Sequence, residues 1–171
     1  ALIDGFQREL GAQAATRCLD GCHEHALAAA ALAGWQCYGR AYVLDDASCK
    51  RLRPLQWAAR VAELFHQRGA DRVVAEVNQG GEMVREVLAQ VDATLPVKAV
   101  HAAKGKKARA EPVAALYEQG RVSHVGAFPA LEDEMCSVIG EGQSPDRLDA
   151  LVWALTELML RKQAGPRVRT V

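Results

Sequence analysis

The chain has 171 residues, half of them hydrophobic and a quarter charged, which fits one soluble globular domain with a sizeable core. Lys+Arg and Asp+Glu each total 21, so overall charge gives no hint of a nucleic-acid partner. Five cysteines, an odd number, speak against a complete disulfide framework and for a reducing, cytoplasmic compartment. No apolar stretch approaches the roughly 20 residues of a membrane span, and the alanine-rich run from Ala26 lacks the preceding basic region of a signal peptide.

Residues 1–39 are rich in Ala, Cys, His, Arg and Gly and read as weak strand formers, Cys18-Leu19-Asp20-Gly21 included. Cys18, Cys22, His23 and His25 have the look of zinc ligands but lack a second half, and a closed zinc site needs four well-placed donors. The run Arg40-Ala41-Tyr42-Val43-Leu44, ending in Asp45-Asp46, reads as a strand leaving the core. From Pro54 to Arg68, Trp57, Val61, Leu64 and Phe65 fall at helical spacing, and Gly69 ends the helix. Next come a strand over 72–77, a helix over 81–91, a strand over 97–102, a basic turn, a helix over 106–119 and a strand over 122–125.

This alternation predicts an α/β domain with some parallel pairing, and no interdomain linker or internal repeat interrupts it. The final helix is the clearest element. Ser144 is placed to cap it with Pro145 at its first position, and Leu148, Leu151, Val152, Leu155, Leu158 and Met159 form one apolar stripe. Asp149 falls on the flank of that stripe, on the same side as Asp146, Trp153 and Thr156. The tail 165–171 is expected to fray.

The chemistry concentrates in acids. Glu76 closes the buried run Val73-Val74-Ala75-Glu76-Val77, directly before the turn Asn78-Gln79-Gly80-Gly81. A carboxylate at the end of a buried strand is costly unless a cation meets it. A lysine can be that cation, and so can a divalent metal shared with Asp146 or Asp149. Acids in a first helical turn also answer the helix dipole without any catalytic role. The glycine turn lacks the lysine and hydroxyl of a P-loop, which argues against an ATPase, and no serine–histidine–acid arrangement suggests a triad.

Lys98, Lys104, Lys106, Lys107 and Arg109 follow one another with no acid between them, while Glu132-Asp133-Glu134 gather acids downstream. The basic run opens a helix, where its charge opposes the dipole, and an anionic partner such as a phosphate would offset that cost. Lys104, Lys106, Lys107 and Arg109 are therefore the candidate DNA contacts, and the three lysines are expected to be solvent-exposed. Aromatic residues make up only 5% of the chain and none interrupts the run, so stacking on single-stranded bases has little support.

Three blocks in order, "DRVVAEVNQGGEMVREVL", "AAKGKKARAEPVAALYEQGRVSHVGAFPALEDEMC" and "SPDRLDALVWALTELML", resemble the C-terminal nuclease domain of the phage terminase large subunit, over residues from about Arg40 to about Leu160. The resemblance, which extends to copies in prophages and gene transfer agents, implies a ribonuclease H-like fold: a central mixed β-sheet flanked by helices on both faces. It implies a nuclease domain over 40–164, with 1–39 a divergent segment of the same domain. It also implies an endodeoxyribonuclease that uses two Mg²⁺ or Mn²⁺ ions, one generating hydroxide and the other stabilising the leaving 3′ oxygen.

By that resemblance Glu76 and Asp149 bind metal and Asp146 is auxiliary. The partners implied are double-stranded DNA, a terminase ATPase domain, the small terminase and the portal, in a bacterial host cell. The family's first aspartate, on its opening strand, has no obvious counterpart before Arg40, and Asp20 is a better candidate than Asp4. Two alternatives stay open: a degenerate prophage domain that binds DNA or a packaging partner without cutting, and another ribonuclease H-like nuclease such as a resolvase.

Overall fold

The computed structural model describes residues 16–19, 32–37, 39–49, 51–77, 81–136 and 146–160. Asp4, Asp20, Cys22, His23, His25, the loop Asn78-Gln79-Gly80, the Ser144-Pro145 cap and the tail 165–171 lie outside the described residues.

Six strands form one mixed sheet: β1 (Thr16–Leu19), β2 (Leu32–Cys37), β3 (Arg40–Asp46), β4 (Arg72–Glu76), β5 (Val97–Val100) and β6 (Val122–His124), in the order β5-β4-β1-β2-β3-β6. β1 to β3 run antiparallel to their neighbours in chain order, whereas β4 is parallel to both β1 and β5, and β6 is parallel to β3. The helices are α1 (Pro54–Arg68), α2 (Gly81–Val91), α3 (Lys106–Glu118), α4 (Pro129–Cys136) and α5 (Asp146–Leu155). Residues Thr156–Leu160 continue α5 as a π-helical turn.

Most of these elements follow the sequence pattern closely, and α1 matches it to the residue. Its apolar face buries Trp57, Ala58, Val61, Ala62 and Leu64, and Gly69 closes it in the left-handed region at φ 56°. The expectation of weak strand propensity before Arg40 is corrected. β1 and β2 are strands, and β1 lies inside the sheet between β4 and β2. Ladder hydrogen bonds from neighbours on both sides fix a strand whose own residues have little preference for one.

Alternation along β4 divides the core into two halves. Val73 and Ala75 pack on one face with Trp57, Val61 and Leu64 of α1 and Val84, Val87 and Leu88 of α2. Val74 points to the other face, among Val113 and Leu116 of α3, Leu131 of α4 and Leu151, Val152 and Leu155 of α5. A strand repeats every two residues, so Glu76 shares the face of Val74 and is aimed at α3 and α5. That parity makes a site possible.

Two features of α5 differ from the sequence reading. Its apolar stripe does not run on evenly, because the π turn changes the angle per residue and leaves Leu158 and Met159 half-buried. A second helix also helps to hold its N-terminus. Glu134 of α4 accepts hydrogen bonds from the backbone N–H of Arg147 at 2.8 Å and of Leu148 at 3.1 Å, two of the donors that a helix leaves unmet in its first turn. Arg147 returns a bond to Glu134 at 2.9 Å and reaches Asp46 at the end of β3 at 3.2 Å. Burial pulls the Arg147 guanidinium down, but Glu134 and Asp46 outweigh it and hold its pKa above the ordinary value.

Candidate active site

Glu76 and Asp149 lie far apart in sequence and meet over one guanidinium. Asp149 Oδ1 accepts from Arg109 Nη2 at 2.7 Å, and Glu76 Oε1 lies 3.9 Å from Arg109 Nη1. Lys106 Nζ approaches the other Asp149 oxygen at 2.7 Å. Glu76 Oε2 accepts from the indole N–H of Trp153 at 2.6 Å. Both carboxylate side chains are more than nine-tenths buried. The Arg109 guanidinium also lies 5.1 Å from the Trp153 ring centroid, within cation–π range.

Local structure explains the convergence. The strand delivers Glu76 by parity, and α5 presents Asp149 and Trp153 one turn apart on one flank. Lys106 and Arg109 occupy the first turn of α3, again about one turn apart, so both cations point the same way.

The expected exposure of the lysines is therefore corrected in part for Lys106 at 34%, and the Arg109 side chain beside it is only 10% exposed. The anion that offsets their unfavourable place at a helix N-terminus is Asp149, from within the chain. Lys104 and Lys107 are exposed. Lys98 leaves the cluster altogether and donates to the buried Glu157 at 2.6 Å. Asp146 is half-buried at the start of α5.

Trp153, not among the candidate site residues of the sequence, is also a site residue, because its N–H fixes one oxygen of Glu76. The signal was its place beside Asp149 on the same helix flank. Glu134 was likewise read only as part of an acidic run, since its contact with the α5 backbone depends on tertiary docking.

Among the described residues, no three His, Cys, Asp or Glu side chains converge on a point that could hold a metal ion. The pair fits a hard divalent cation in other respects. Both donors are carboxylate oxygens, both are desolvated, and the fold already compensates them with positive charge. Leu19, the last described residue of β1, pairs with Ala75 of β4, the residue before Glu76.

The family model of the terminase RNaseH-like domain matches residues 27–158, so the likeness begins before Arg40 and takes in β2. Among solved structures, the fold is similar to the large terminase nuclease from the thermophilic phage G20c, with a TM-score of 0.61 and 15% identity over 85% of this chain and 82% of that one. A looser likeness, with a TM-score of 0.48 and 17% identity over 83% of this chain and 91% of the other, is to RuvC of Thermus thermophilus. No curated protein matches. The mixed six-stranded sheet with helices on both faces is a ribonuclease H-like fold. Matched over most of its length, the chain belongs to the family of terminase RNaseH-like domains.

Proposed function

We propose that this domain is the Mg²⁺- or Mn²⁺-dependent endodeoxyribonuclease of a phage-type DNA-packaging terminase, in a phage or prophage. It acts on double-stranded DNA in the host cytoplasm with a terminase ATPase domain, the small terminase and the portal. One observation carries the reading: Glu76 and Asp149, two buried carboxylates from separate elements, converge on a single guanidinium. Like charges held this close repel, and a fold keeps them where a cation is used.

Glu76 and Asp149 are the residues that would hold the metal, with Asp20 as the third donor and Asp146 as an auxiliary. A divalent ion bound there supplies Lewis-acid polarisation of the phosphate and activation of water. The Trp153 N–H orients Glu76, and burial by α5 excludes bulk solvent from both carboxylates. Lys106 and Arg109 balance the acids and lie at the edge where a phosphate would arrive, with Lys104 and Lys107 exposed beside them to meet the DNA backbone.

The test is nicking of supercoiled plasmid. The domain cuts in Mn²⁺ or Mg²⁺, EDTA stops it, and Glu76→Gln and Asp149→Asn each abolish it while circular dichroism shows an intact fold. A non-catalytic DNA-binding domain is the second reading, favoured by the cations that already pair with Asp149. It predicts DNA retention by an uncut, folded wild type. Equal cutting by wild type and both variants sinks the assignment of these acids.

A further inference from the structure

Beside the two carboxylates lies a cavity of about 230 Å³, whose lining includes His101, Lys104 and Arg109 together with Pro112, Trp153 and Leu160. We propose that this cavity is a subsite for one nucleotide unit, a nucleoside 5′-phosphate, with its phosphate toward the cations and its base or sugar toward the apolar groups. The proposal deepens the nuclease reading and rests on it for the identity of the strand.

Three observations carry it. The lining mixes two chemistries: N–H donors and positive charge from His101, Lys104 and Arg109, and a flat indole, a proline ring and an aliphatic group from Trp153, Pro112 and Leu160. Ligand sites of this kind are mostly apolar with a few placed polar groups. A nucleotide carries both chemistries in one molecule, whereas a bare anion has no use for the apolar groups and an apolar ligand none for the cations. The apolar part of the lining also reaches the surface, since Leu160 is one of the few large hydrophobic residues left exposed among the described residues.

Arg109 supplies the second observation. Its Nη1 and Nη2 are engaged by the Lys104 carbonyl and Asp149, yet its Nε is buried and has no hydrogen-bond partner among the described residues. A buried donor without a partner is costly, and a small turn of the guanidinium toward a phosphate in the cavity would meet it.

The third observation is position. Arg109 and Trp153 belong both to the cavity and to the carboxylate site, so a ligand seated in the cavity lies beside Glu76 and Asp149. At about 230 Å³ the cavity is smaller than the roughly 300 Å³ at which ligand clefts begin, so it holds no more than one unit of a strand.

The test uses the whole chain labelled with 5-fluorotryptophan, in EDTA, so that no step depends on metal. The Trp153 fluorine resonance is assigned by its loss in Trp153→Phe. Thymidine 5′-monophosphate and an eight-nucleotide single strand should each shift it saturably, with thymidine or inorganic phosphate at least about tenfold weaker, since each engages only part of the lining. Tighter binding of the oligonucleotide identifies a strand as the source, and a shift with the mononucleotide alone identifies a free nucleotide; both support the subsite.

Ala108→Leu fills the cavity from the exposed side of α3 and should weaken both ligands at least about tenfold without lowering the melting temperature. His101→Ala, in an exposed coil, should weaken them several-fold. An equal shift with inorganic phosphate, no shift with either nucleotide ligand, or full affinity in both variants overturns the proposal. Plasmid nicking in Mn²⁺, run alongside, keeps the two readings apart. Nicking without a Trp153 shift removes only the subsite, and a shift without nicking removes only the nuclease.

Discussion

Two buried charge clusters belong to the two ends of β4, which Arg72 opens and Glu76 closes. At the first end, Glu157 accepts from Arg72 at 3.0 Å and from Lys98 at 2.6 Å. At the second, Glu76 and Asp149 meet Arg109 and Lys106. Each cluster has a desolvated acid, one arginine and one lysine, so burial and ion pairing do not tell them apart. Arrangement does. Glu157 meets partners that are 47% and 33% exposed, and its charge is more than balanced. The other cluster adds a second carboxylate to the same small volume, buries its arginine, ties one oxygen to an indole and opens onto a cavity. Repulsion between neighbouring acids works against folding, so it marks a site more reliably than an ion pair does.

Charge-neutralising substitutions give the sharpest break. Asp149→Asn should lower plasmid cleavage by roughly 10³-fold or more, because a metal contributes several kcal/mol to such a reaction and a neutral amide holds it poorly. Glu157→Gln should do the reverse, costing about 1–3 kcal/mol of stability in urea unfolding while the folded protein still cuts. Loss of cleavage in both would mean that the two clusters act as one.

Removing the arginine asks whether a metal can take its place. Arg109→Met leaves two buried acids facing each other and should destabilise the domain in EDTA by about 3–5 kcal/mol. Mn²⁺ at ~100 times its dissociation constant should return about 2.7 kcal/mol of that. Lys98→Met should lose less and recover nothing in Mn²⁺, since among the described residues no second carboxylate shares Arg72 and Lys98 with Glu157. Equal recovery in the two variants would show general ion binding.

The helix that carries Asp149 offers a smaller effect. Glu134→Ala removes the acceptor of two first-turn N–H groups of α5 and a partner of Arg147, and should cost about 1–2 kcal/mol. Cleavage should fall by roughly tenfold, the range for a residue that orients a metal ligand from behind. The same substitution should leave the Glu157 cluster untouched.

How much of this was legible in the sequence follows from the range of each interaction. α1 was legible to the residue because periodicity, an N-terminal proline and a closing glycine are all local. Glu76 was legible as an acid out of place in a buried run, and Asp149 as an acid flanking an apolar stripe. β1 and β2 were not, because pairing on both sides, rather than their own residues, makes them strands. Nor could the sequence divide the basic run. Lys98, Lys106 and Arg109 turn inward to acids from α5 and its π turn, while Lys104 and Lys107 stay outside. Only docking of α5 against α3 and β4 decides which lysine meets which acid.

That division sets the last and smallest test. Lys104 and Lys107 are exposed, so alanine at both should leave stability within about 0.5 kcal/mol of wild type. If both bind phosphates, DNA affinity should fall for all sequences alike, and the slope of log K against log salt should flatten by ~0.9 for each phosphate no longer neutralised. Lys106→Ala must be measured separately, since it removes a partner of Asp149 along with any phosphate interaction. It should add a stability loss that the exposed pair does not show. A double variant with unchanged affinity and salt slope would make Lys104 and Lys107 a solvated face and send DNA to the carboxylates across another surface.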